Sequence, residues 1–143
     1  MFSNTVVLET GEVYGAALER AYTLESSLAE YPRILVGAEF QSYLRWVSVQ
    51  TPRTDFGRIA LTTAQRCQRF LYQDTDGRLM LDFLGDAFRE SVGDRIEPHV
   101  VREAYEFVRR QSLETRQKGD HVLASRYFRL LRYFDERLGS WKL

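Results

Sequence analysis

The chain has 143 residues, 44% hydrophobic and 13% aromatic, enough for one domain with a real core and too few for two independent ones. Twenty basic residues cancel twenty acidic ones, so no global charge draws the chain toward nucleic acid or an anionic membrane. No apolar run has the length of a membrane-spanning helix and no signal-peptide pattern opens the sequence, so the expected location is the cytoplasm. Cys67 is the only cysteine, which excludes an intrachain disulfide. With only His99 and His121 beside it there is no zinc-type ligand cluster, and its place between Ala64 and Leu71 suits a small core filler.

In chain order, residues 5–9 and 13–14 read as two short strands around a turn at Gly11. Ala17, Leu18, Ala21, Leu24 and Leu28 then recur at three- and four-residue spacing, which predicts an amphipathic helix. The small residues Ala16, Ala17 and Ala21 would let it approach a sheet closely. Pro32 cannot continue the helix, so Tyr31-Pro32-Arg33 reads as a turn leading into a short buried strand, Ile34-Leu35-Val36.

A second helix is expected over residues 38–46, with Phe40, Tyr43, Leu44 and Val47 on its apolar face, followed by a loop over residues 51–57 and a short helix over 61–70. The clearest hairpin has its turn at Asp76-Gly77, with Leu79, Leu81 and Phe83 on one side and Arg78, Met80 and Asp82 on the other. Asp74-Thr75-Asp76-Gly77 is not a calcium loop, because Tyr72 and Phe83 stand where acidic ligands are needed.

After Gly93 the pattern is helical throughout. Pro98 suits a first helical position, and Val101, Ala104, Tyr105, Val108 and Leu113 mark the expected buried side. Asp120 can cap a last helix with Leu123, Tyr127, Leu130, Phe134 and Leu138 on its apolar side. Arg126, Arg129, Arg132 and Arg137 alternate with aromatics, but Asp135 and Glu136 lie among them, so a solvated helix face is expected here rather than a nucleic-acid surface.

Tyr14, Gly15, Ala17, Leu18, Ala21, Leu24, Glu25, Ala29, Ile34 and Val36 stand in an order that resembles the later portion of the class III nucleotidyl (adenylate/guanylate) cyclase homology domain. The resemblance implies an α+β fold, a small sheet covered by helices as a cyclase-like, ferredoxin-like remnant, followed by a C-terminal α-helical hairpin. On that reading residues 1–92 are the cyclase-like portion and residues 93–143 the helical extension, packed together as one unit. An active member would be a nucleotidyl cyclase, a lyase, using magnesium or manganese with a nucleoside triphosphate.

The positions that do the chemistry depart from the family. Glu12 stands where the family reads the purine, and an acid there is compatible with an exocyclic amine. Glu19 replaces an asparagine that orients the ribose, and Thr23 replaces the arginine that stabilises the phosphate. The family's metal carboxylates precede the matching stretch, where this sequence has only Glu9 and Glu12. No metal ligand is assigned and no cofactor is expected.

These readings give a truncated or degenerate nucleotidyl-cyclase-like protein of cyclic-nucleotide signalling or defence, not catalytic alone and acting as a homodimer or with a partner protein, nucleotide binding being possible. The alternative is a small interaction module whose helical hairpin binds a partner. In that alternative, removing the chain from Glu97 onward leaves the α+β part folded.

Overall fold

A computed structural model describes residues 4–7 and 12–141. The architecture is α+β and mostly helical. It begins with an antiparallel hairpin, β1 (Asn4–Val7) with β2 (Glu12–Gly15), registered Thr5 to Tyr14. Helix α1 (Ala16–Thr23) runs directly into one π-helical turn, Leu24–Leu28. Then come α2 (Ala38–Ser48), α3 (Asp55–Arg69), β3 (Leu71–Gln73), β4 (Leu79–Leu81) and α4 (Asp86–Val92). The last described elements are α5 (Pro98–Gln117), α6 (His121–Arg137) and a 3-10 turn, Leu138–Trp141.

The expected strands do not share one sheet. Among the described residues β1 and β2 pair only with each other, while residues 34–36 join the second hairpin. There the Val36 amide donates to the Leu79 carbonyl at 2.8 Å and the Leu81 amide to the Ile34 carbonyl at 2.9 Å, around an antiparallel bridge between Leu35 and Met80. Gly77 closes the β3–β4 turn with φ of 79°, a conformation that glycine adopts without a steric penalty. The faces of β4 are the reverse of the expected alternation. Met80 is fully buried, and Leu79 and Leu81 are half-buried.

Helix α3 begins six residues before its expected start. The Thr54 hydroxyl accepts the Gly57 amide at 3.1 Å, an N-cap that converts the end of the expected loop into a first helical turn. The later starts match expectation. Pro98 opens α5, and an Asp120 carboxylate oxygen accepts the Leu123 amide at 3.0 Å to cap α6.

One hydrophobic cluster joins the two parts of the chain: Tyr31, Met80 and Leu84 meet Val101, Val108, Leu130, Tyr133, Phe134 and Trp141. A smaller one holds Leu44, Val47 and Ala64, with Cys67 and Leu71 packed against it. The α5 stripe is rotated from expectation. Val101 and Val108 are buried with Ser112 and Thr115, while Leu113 is exposed and Ala104 faces outward. Thr115 donates to the Gln111 carbonyl at 2.8 Å, so its hydroxyl is satisfied within its own helix. Small side chains, including Ala124 of α6, thus occupy the buried side of the helices near their link.

Candidate functional site

The centre of the molecule is a charged tie. Arg33 lies directly before the 34–36 segment and its side chain is fully buried. A buried guanidinium must have acceptors, and three are present. Its Nη1 donates to Asp74 at 2.5 Å, and its Nη2 donates to Asp76 at 2.6 Å and to the Leu28 carbonyl at 3.1 Å. Its Nε has no hydrogen-bond partner.

Asp74 receives further donors: the Tyr31 hydroxyl at 2.5 Å, the Thr75 amide at 2.7 Å and Arg132 from α6 at 3.4 Å. The turn that follows the π-helical segment, the β3–β4 turn and α6 therefore meet on one carboxylate.

The electrostatics follow from this geometry. Burial alone would raise the Asp74 carboxyl, but the hydrogen bonds from Tyr31, the Thr75 amide and Arg33 outweigh it and hold it below the usual range. The hydrogen bond from Arg33 is the main reason that Asp76 sits at about 2. Burial and the adjoining Asp74 push the Tyr31 phenol up, so it is a hydrogen-bond donor and not a base. For Arg33 the burial penalty is overcome by the two aspartates, which raise it and keep it charged.

A second tie lies at the other end of β4. Asp82 accepts from the Tyr133 hydroxyl at 2.8 Å and from Arg137 Nε at 2.9 Å, while the Tyr133 oxygen accepts the Leu84 amide at 3.0 Å. Trp141 Nε1 donates to the Leu84 carbonyl at 2.9 Å, so both backbone groups of Leu84 are held from the C-terminal elements. Tyr72 bonds Glu136 at 2.5 Å, and partial burial together with that carboxylate pushes its phenol up to about 12.

The resemblance-derived positions lie away from these ties. Glu19 and Thr23 are exposed on α1, and Thr23 Oγ1 donates to the Glu19 carbonyl at 2.9 Å, so this hydroxyl is turned onto its own helix. Glu12 is the first residue of β2, opposite Val7; its side chain and all of Glu9 lie outside the described residues. Among the described residues no group of three histidine, cysteine or carboxylate side chains converges to hold a metal. No described helix is long and apolar enough to cross a membrane.

Reading Tyr31 and Arg33 as a simple turn misses their burial, and so does reading Asp74 to Asp76 as no more than a turn. The sequence did carry a signal, an arginine immediately before an apolar strand and an unusual acid pair in a hairpin. Arg132 and Arg137 likewise belong to the ties rather than to a wholly solvated face.

An open cleft of about 840 Å³ lies beside the first tie. The π-helical turn contributes Glu25, Ser26 and Ser27, and α6 contributes His121, Ser125, Arg126 and Arg129. Tyr31, Pro32 and Arg33 also line it.

No protein-family model, no curated protein and no solved structure matches this chain.

Proposed function

We propose that this chain is a nucleotidyl-cyclase-like protein of cyclic-nucleotide signalling or defence that is not catalytic alone and works by self-association. What supports the reading is the helix that carries much of the resemblance. Helix α1 leaves apolar residues exposed to solvent: Ala21 is exposed, and Tyr22 is 69% exposed. The neighbouring α2, tied to α1 by Arg20 and Glu39 at 3.2 Å, shows a row of aromatics at three-residue spacing, Phe40, Tyr43 and Trp46, the last 61% exposed.

Phe40 and Tyr43 were expected to be buried. Leu44 and Val47 are buried, but the aromatics are left at least 46% exposed. An exposed apolar patch of this kind marks an interaction site more often than a surface by chance.

A second copy is the occupant that fits. Large aromatics bury 150–250 Å² each, so Phe40, Tyr43 and Trp46 on α2 offer on the order of 400 Å². That is the apolar centre of an interface needing about 800 Å² per partner. A two-fold axis through this face would let each row meet its counterpart. The resemblance points the same way, since class III domains build their sites across a dimer interface.

The departures at Glu19 and Thr23 remove the groups that would orient ribose and stabilise phosphate, which is why the chain alone is assigned no catalysis. The test is incubation with each of the four ribonucleoside triphosphates and manganese, with cyclic products detected by mass spectrometry. No product is expected, and a cyclic product that scales with protein would overturn the non-catalytic assignment.

The alternative, a detachable hairpin that captures a partner, has less support. The inner faces of α5 and α6 supply Val101, Val108, Leu130, Tyr133 and Phe134 to the main core, so removing the chain from Glu97 onward would expose it.

A further inference from the structure

We propose that the cleft between the π-helical turn and the first turns of α6 binds a small phosphate ester that also carries an amine. The inference is independent of self-association, because the cleft is built from other residues. Its volume, about 840 Å³, lies within the range of small-molecule sites.

The chemistry follows from which lining groups are already satisfied. Glu30 and Arg129 neutralise each other, and Glu30 also lies 3.7 Å from Arg78. Ser26 donates to the Tyr22 carbonyl at 2.7 Å. The groups left without a side-chain partner among the described residues are Arg126, His121 and Ser125 on the α6 wall and Glu25 on the opposite one.

His121 and Ser125 are one helical turn apart and Arg126 is adjacent, so a guanidinium fork, a hydroxyl and an imidazole come from one short stretch of helix. A planar fork with donors beside it matches a phosphate bidentately. Arg33 also lines the cleft, but its guanidinium is fully buried and turned onto Asp74 and Asp76, so the α6 wall supplies the cation that a ligand reaches.

Glu25 would repel a bare phosphate. A ligand that binds both walls must therefore present a donor to Glu25, which an exocyclic amine does. The class is a phosphomonoester or phosphodiester carrying an amine.

Isothermal titration with adenosine 5′-monophosphate, adenosine and inorganic phosphate tests this on the full chain. The monophosphate is expected to give a saturable isotherm, phosphate to bind more weakly and adenosine to bind least. Arg126 and Glu25 are exposed, so their variants keep the fold, which circular dichroism verifies. Arg126→Ala is expected to weaken the monophosphate by about tenfold or more. Glu25→Gln is expected to weaken the monophosphate while leaving phosphate unchanged or tighter. Absence of saturable binding by the wild-type chain, or an Arg126→Ala isotherm equal to wild type, overturns the site. Equal affinity for monophosphate and phosphate overturns the amine requirement.

Discussion

Replacing Arg33 with methionine removes the cation from the central tie while keeping an unbranched apolar side chain in its place. Breaking a buried pair by removing one partner costs about 3–5 kcal/mol, because the remaining charge is left uncompensated. Here Asp74 keeps the Tyr31 hydroxyl, the Thr75 amide and Arg132, so the low end, about 3 kcal/mol, is expected. For a chain of this size that corresponds to a melting temperature lower by roughly 10 °C. Urea and thermal unfolding followed by circular dichroism measure it.

The pH dependence adds an internal check. Asp76 falls from 3.8 to about 2 in the folded chain, and Asp74 is also lowered. Carboxylates with depressed folded values contribute stability above the unfolded value, and that contribution is lost as pH falls through the folded value. The gap between wild type and Arg33→Met is therefore expected to be full above about pH 4 and to shrink toward pH 2. Arg58→Met is the contrast, because the Arg58–Asp55 pair is solvent-exposed, and its cost should stay below about 1 kcal/mol. If Arg33→Met melts within about 2 °C of wild type at neutral pH, the tie does not hold the fold and the reasoning fails.

Tyr133→Phe leaves the buried Leu84 amide without its acceptor and takes a donor from Asp82, so a loss of about 1–3 kcal/mol in urea unfolding is expected. Gly85→Ala acts on the same tie by a different route. The new Cβ would overlap the Asp82 carboxylate, which Tyr133 and Arg137 hold in place, so a loss of about 1–3 kcal/mol is expected. In the Tyr133→Phe background the added cost of Gly85→Ala should be smaller, since one of the bonds it strains is already gone; full additivity in a double-mutant cycle would refute the coupling.

What could be read from the sequence was what local chemistry decides. Pro98 and Asp120 set the starts of α5 and α6 through backbone geometry and a single carboxylate, both visible within a few residues. Gly77 did the same for the hairpin turn. Burial was less legible, because it depends on what lies across the fold. Met80 is buried because its face of β4 meets Tyr31, whose hydroxyl lies 3.6 Å from the Met80 sulfur, and nothing in the alternation of β4 reveals which side will be covered.

The same limit hid the central tie, whose arginine and carboxylate are 41 residues apart. The α5 stripe was misplaced because hydrophobicity favoured Leu113, whereas close approach to α6 favoured Ser112 and Thr115. For α1 and α2 the amphipathic pattern was real but did not fix whether the cover would come from within the chain, and Tyr22, Tyr43 and Trp46 remain in solvent.

The central claim is self-association through that exposed face, and sedimentation velocity over a wide concentration range tests it most directly. Wild-type protein is expected to sediment as a species of twice the 16.8 kDa chain mass, and Tyr43→Glu with Trp46→Glu as a single chain with unchanged circular dichroism. A wild-type chain that stays at 16.8 kDa at every concentration, or a double variant that keeps the doubled mass, would contradict it.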